Sequence, residues 1–275
     1  MSQTLFLQPN LSPQHLTVGN FAAQLIDTKD LDPVYVGLTN LQLPFPQLSR
    51  WLFAYWCFYD VGVASYLSEF QDRDYWKGML VAAGNVAPPP NGGRWPRGAE
   101  RRHFRGQKCV DAINHFSRRP VMAWFCDLEA SVTAAQVIDI ARGWPQFGPW
   151  IGFKIADMLE VVWGHTVIFD EKTTLYAQPA ACLDLLLADM EGALPPPSKA
   201  WVFDQLIKSV SIFREPASGH RACSMQEAET VLCKYKSYRN GRYWVGKDIK
   251  ETRHNLHGWG QTAERMLSVM PEEVR

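Results

Sequence analysis

The chain has 275 residues, 47% of them hydrophobic and 12% aromatic, which supports a buried core in one large domain or two modest ones and excludes a disordered chain. Its 28 Lys plus Arg match its 28 Asp plus Glu, which excludes a global attraction to nucleic acid or a membrane surface, so any site for a polyanion has to be local. The six cysteines are scattered without a Cys-x-x-Cys pair, and "MSQTLFLQPN" has no basic segment followed by an apolar run. The expectation is a cytoplasmic protein with reduced thiols, neither secreted nor membrane-embedded.

Along the chain, residues 1–45 mix apolar and turn signals, as in "VYVGLTNLQLPFPQ", and read as an irregular or short extended segment. From Ser49, "SRWLFAYWCFYDVGVASYLSEF" carries helical spacing with more than one apolar face and predicts a buried helix. "VAPPPNGGRWPRG" and "ALPPPSK" are loops, because proline removes backbone donors and glycine removes restraint. Helical spacing returns in "ERRHFRGQKCVDAINHF", "SVTAAQVIDIARGW", "PWIGFKIADMLEVVWG", "PAACLDLLLADMEGAL", "SKAWVFDQLIKSVSIF" and "SMQEAETVLCKYKSYR". Ser131 or Thr133 can cap the second of these, and Ser224 with Glu227 forms a capping box for the last. "RNGRYWVGKD" reads as a turn or short hairpin with Asn240-Gly241 at its tip. With no internal repeat and no long alternating strands, the expected fold is mainly α: a lead-in segment over residues 1–48 and a multi-helix domain over 49–275.

"GWPQFGPWIGFKIADML" sets a glycine-punctuated bend between two helical patterns. A helix that opens at Pro149 or Trp150 turns free amides outward, and these favour an anion such as a DNA phosphate, although an ordinary turn between helices uses the same residues. Two segments concentrate charge. Arg94 to Lys108 holds six Lys or Arg against one Glu, with Phe104 among them; Arg101, Arg102 and Arg105 fall within five positions. The second, around "CKYKSYRNGRYWVGKD", pairs Lys234 and Lys236 with Tyr238 and Tyr243, next to Asp248. Cations supply phosphate contacts and aromatic rings supply stacking for an extruded base, whereas solvated charge and packed tyrosines are the alternative. His254 and His257 lack a third ligand, so no metal is expected.

The bend resembles the helix-hairpin-helix element of the DNA glycosylase superfamily. Trp144, Pro145, Phe147, Gly148 and Ala156 fall on its pattern; Gln146 stands where the first glycine is expected, and Trp150 where a lyase would carry lysine. The resemblance implies an aspartate beyond the hairpin, which "GHTVIFDEKT" offers as Asp170. The bend, the Arg-rich segment and the basic tail together resemble the alpha-glutamyl/putrescinyl thymine pyrophosphorylase family of phages with hypermodified thymine, which includes amino acid:DNA transferases. That resemblance implies a glycosylase-like helical domain acting on double-stranded DNA that carries pyrophosphorylated hydroxymethyluracil. Pyrophosphate is displaced by a free amino acid or polyamine, without a cofactor. On chemical grounds Arg101, Arg102, Arg105, Lys154, Lys234 and Lys236 are the expected phosphate and pyrophosphate ligands, with Gln146 and Gly148 at the DNA backbone. Phe104, Trp150 or Tyr238 would stack on the flipped base, and Asp170 or Asp248 would take the amine proton. A monofunctional glycosylase and a non-enzymatic DNA-binding module are the rival readings.

Overall fold

A computed structural model describes residues 16–169, 176–190 and 196–274. The described residues contain fourteen α-helices and no strand, only two isolated bridges, Thr133 with Ile168 and Arg214 with Ala222. No helix among them is long and apolar enough to cross a membrane, and all six cysteines are free. The mainly helical class expected from the sequence is observed. Contacts divide the chain into two units: Met1–Val36 with Glu171–Lys250 and Pro271–Arg275, and Gly37–Asp170 with Glu251–Met270.

The first unit is built on α1 (Val18–Asp27), α10 (Ala177–Asp189), α11 (Lys199–Val210) and α12 (Met225–Arg239). Thr17 caps α1 by accepting from the Asn20 amide, and Phe21, Ala22, Leu25 and Ile26 follow at helical spacing into a core with Cys182, Leu206 and Tyr235. The lead-in region is therefore helical, as is α2 (Pro33–Leu41), and the irregular reading of residues 1–45 is corrected for those described. Its short apolar stripes, interrupted by "TKDLDP", fall below the length at which periodicity separates helix from loop. The capping box expected at Ser224 and Glu227 opens α12, which ends at Asn240; residues 240–246 form a turn rather than a hairpin, and α13 (Lys247–Leu256) begins directly after it.

In the second unit α3 (Phe45–Phe58) is buried from Leu48 onward except at the half-buried Arg50, with Trp51, Phe53, Trp56 and Phe58 all inaccessible. Each such side chain contributes about 1.5–3 kcal/mol of transfer free energy. The single helix expected over 49–70 is broken. Tyr59 takes a left-handed conformation at φ 51° and closes α3, and the Asp60 carboxylate accepts from the Val63 amide to start α4 (Val61–Ser68). The proline-rich loop fills this corner, since a Cβ at Gly98 would stand 2.4 Å from the Tyr59 carbonyl. Around α3 lie α5 (Asp72–Gly84), α6 (Gln107–Phe116), α7 (Val121–Glu129), α8 (Ala134–Arg142), α9 (Pro149–Met158) and α14 (Gln261–Val269). The helix expected from Glu100 starts only at Gln107; a single 3-10 turn (Ala99–Arg101) and a loop precede it.

Candidate functional site

The bend between α8 and α9 is built by its aromatic residues. Thr133, not Ser131, caps α8 through a reciprocal box with Gln136. After Arg142 the chain turns Trp144 and Phe147 inward, where both rings pack edge-on against Phe116 and Trp144 also meets Trp124. Gln146 is left exposed at φ 65°, the left-handed region in which an L side chain costs roughly 1–2 kcal/mol. Glycine would adopt this conformation without strain, so the bend holds it with a residue that pays for it. Gly148 caps α9 with no side-chain hydrogen bond, and a Cβ there would meet nothing within 4 Å. Four residues on, a Cβ at Gly152 would lie 3.0 Å from the Ile138 Cα. Gly152 thus lets the two helices approach, whereas nothing inside the protein requires glycine at 148.

The Arg-rich loop is divided between inside and outside. Arg101 is only 2% exposed; its Nε donates to the Cys57 carbonyl at 3.1 Å and its Nη1 to the Gln146 carbonyl at 2.8 Å. Its guanidinium lies between the rings of Phe104 (4.5 Å) and Phe147 (4.7 Å). Arg101 is therefore a tie from loop to bend, with its guanidinium turned to carbonyls inside the protein. Phe104 is inaccessible and packs edge-on against Phe58 at 5.8 Å. Burial lowers the Arg101 pKa, and burial likewise pushes the Cys57 thiol up to about 12 against the pull of Arg101. Arg97, which sequence reasoning passed over, donates to the carbonyls of Phe104, Trp95, Pro96 and Ala82. Arg102, Arg105 and Lys108 remain exposed, and His103 beside them has its pKa lowered by burial and by Arg101 and Arg102.

Trp150, in the first turn of α9, is half-buried and meets Tyr59 edge-on at 5.1 Å. Lys154 is buried 3.4 Å from Asp157, with side-chain exposures of 9% and 3%. It is an interior charge of α9 with its carboxylate partner on the same helix. Asp170 lies outside the described residues. Just before it, the Ile168 amide donates to the Val132 carbonyl, the Ala134 amide donates to the Ile168 carbonyl, and Phe169 meets Phe153 at 5.5 Å.

In the first unit, Lys234 and Asp248 form an ion pair at 2.7 Å, and Lys234 also donates to the Asp30 carbonyl. The Asp30 carboxylate, fully buried, accepts from the Tyr243 hydroxyl at 2.5 Å, the Gly246 amide at 2.7 Å and the Ile249 amide at 2.9 Å, and so caps α13 from a distant part of the chain. Burial foremost, then the charges of Asp248 and Asp30, raise the Tyr243 pKa, so the phenol stays a donor. The basic tail's aromatics are largely core: Tyr235 is inaccessible, and Tyr238 stacks on Phe21 at 4.9 Å while its hydroxyl accepts from the Leu16 amide. Tyr238 is half-buried in this packing. Lys236 is half-buried on α12, and Trp244 is the exposed aromatic of this segment. Only its place inside the "TKDLDP" turn marked Asp30 in the sequence; its ligands lie some two hundred residues away.

Among the described residues no three His, Cys, Asp or Glu side chains gather as a metal site. The fold and these residues define an all-helical protein with a cationic loop held against a glycine-bearing bend. Residues 16–242 match the family described as amino acid:DNA transferase, and the chain belongs to that family. It is 40% identical to a protein named glycinyltransferase from Pseudomonas phage PaMx11, over 94% of this chain and 97% of that one. It is also 23% identical to a protein named putrescinyltransferase from Delftia phage PhiW-14, over 93% of this chain and 83% of that one.

Proposed function

We propose that this protein transfers an amine, from an amino acid such as glycine or from a polyamine, to 5-pyrophosphoryloxymethyl-uracil in double-stranded DNA and releases pyrophosphate. The observation that carries the reading is the 40% identity to a glycinyltransferase along nearly the whole of both chains, within a family named for this class of transfer. In the proposed step the amine nitrogen attacks the exocyclic methylene carbon and forms a C–N bond. The C–O bond to pyrophosphate breaks with its electron pair left on oxygen, and the amine gives up a proton to a carboxylate. Clustered guanidinium groups stabilise the charge that grows on the leaving oxygen.

In this reading the exposed Arg102 and Arg105 meet the anion, the Gly148 end of α9 approaches a backbone phosphate, and the half-buried Trp150 offers a ring to the base. Asp170 is proposed as proton acceptor from its sequence position. Asp248, one-third exposed and paired with Lys234, is the alternative. Because the relatives are phage proteins, the proposed setting is the cytoplasm of the infected cell.

The test is nucleoside mass spectrometry of DNA containing 5-pyrophosphoryloxymethyl-deoxyuridine after incubation with the protein and separate amines. A new nucleoside carrying one amine, with stoichiometric pyrophosphate, is expected. Release of the free base with abasic sites would replace the reading by a glycosylase, and unchanged nucleosides alongside DNA binding would replace it by a binding module. Gly148→Ala probes the geometry: DNA affinity is expected to fall several-fold while stability stays within about 0.5 kcal/mol, since the added methyl touches nothing in the protein.

A further inference from the structure

Apart from the bend, the second unit holds a cavity of about 570 Å³ between α3, α5 and the turn that joins α6 to α7, well inside the range of about 300–1,000 Å³ common to small-ligand sites. Its lining sets five cations, Arg50, Arg73, Lys77, Arg118 and Arg119, against one carboxylate, Asp72, in a chain of zero net charge. None of these residues belongs to the Arg-rich loop or the bend.

The cations are available to a ligand. Arg73 and Arg118 are exposed and make no side-chain hydrogen bond or ion pair among the described residues. Lys77 pairs with Asp74 at 2.9 Å and Arg119 with Asp127 at 2.6 Å, but both pairs are substantially exposed and such pairs are worth about 0–1 kcal/mol, so an incoming anion displaces or shares them at little cost. Arg50 is half-buried, held by its Nε on the Ser68 carbonyl at 3.3 Å, and burial lowers its pKa. Trp76 forms an apolar wall, fixed edge-on by Phe53 at 5.6 Å. Val121 and Met122, in the first turn of α7, also line the cavity; the cap residue Pro120 makes no side-chain hydrogen bond, so the positive end of the helix adds to the field.

We propose that this cavity is a second anion site, one that binds phosphate groups. Guanidinium forks from three elements converge on a single volume, and paired N–H donors match phosphate oxygens bidentately. Two sources carry that chemistry: a free phosphate compound such as pyrophosphate, and the phosphates of a DNA backbone. The inference rests on the cavity alone and does not depend on the transfer reaction.

The test uses the full chain with Arg73 and Arg118 both changed to alanine. A control with Lys208 and Arg265 changed to alanine removes equal charge from exposed positions outside the cavity. Circular dichroism and Tm confirm that both fold. Inorganic pyrophosphate is titrated by calorimetry, and unmodified duplex DNA by fluorescence anisotropy over a range of salt. A loss of one pyrophosphate site, or a tenfold loss of affinity, in the cavity variant alone supports the site with a free ligand. A drop of about two in the slope of log affinity against log salt, at about 0.9 per phosphate contact, supports it with DNA as the source. If the cavity variant matches the control in both titrations, the proposal is overturned.

Discussion

Each unit is tied internally by one buried charge, and the two do so in opposite ways. In the first unit Asp30 is an anion surrounded by donors: a phenol and two amides, one of them in the first turn of α13. In the second, Arg101 is a cation that donates to carbonyls, one at the end of α3 and one at the apex of the α8–α9 bend. Asp30 has its ligands on one turn and helix start, and its charge organises local backbone. Arg101 is less complete, since its Nη2 is buried with no hydrogen-bond partner among the described residues. A buried donor left unmet costs about 1–3 kcal/mol, partly offset by the two aromatic rings that sandwich the guanidinium. A site that only needed stability would be satisfied like Asp30; the Arg101 tie accepts a poorer local balance while it holds the bend in a left-handed conformation at Gln146.

This contrast orders four expectations. The largest effect is expected from Asp30→Ala, which strands three donors in the interior: a loss of about 3–5 kcal/mol by urea denaturation. A loss under about 1 kcal/mol would mean that the carboxylate is not the organising group. Arg101→Ala follows, at about 2–4 kcal/mol, and Arg101→Lys should recover little, because an ammonium cannot span two carbonyls as the planar fork does. Full recovery by lysine would reduce Arg101 to a point charge.

Gln146→Gly is expected to stabilise by about 1 kcal/mol, because glycine enters the left-handed region without a Cβ clash; unchanged or lower stability would show that the Gln146 side chain offsets its backbone cost. The smallest effect concerns Asp60, whose carboxyl pKa burial raises above its usual value although the Val63 and Gly62 amides oppose the shift. The folded state thus disfavours the ionised form, so this group's contribution weakens stability at neutral pH and improves as pH falls through the raised folded value toward the ordinary one near 3.8. Asp60→Asn keeps the cap without the charge. It should equal or exceed the parent at pH 7, and its advantage should shrink in acid, while Asp60→Ala should lose about 1 kcal/mol at pH 7 and more as the pH falls. An advantage that grows in acid would reverse the assignment.

Much of the local structure was legible in the chain. The capping box at Ser224, a cap at Ser131 or Thr133, the proline-rich loop and the bend at "WPQFG" are set by residues within a few positions of one another, and short-range chemistry acts the same way before and after folding. The break at Tyr59–Asp60 was less so, because an aspartate inside an aromatic helical pattern reads as a solvated face until the loop around Gly98 is seen to close over it.

Charge was the least legible property. A run of arginines reads alike whether its members point to water or to carbonyls, and only folding separated Arg97 and Arg101, drawn inward, from Arg102 and Arg105, left outside. The same limit hid Asp30, whose partners are remote in sequence, and the cavity, whose five cations come from three elements. By itself the sequence determined the helical class, the capped helix starts and the bend, since these depend on propensity and neighbouring residues. Which cations and aromatics are available to a ligand was decided only in the tertiary structure, because exposure depends on what the rest of the chain brings against each side chain.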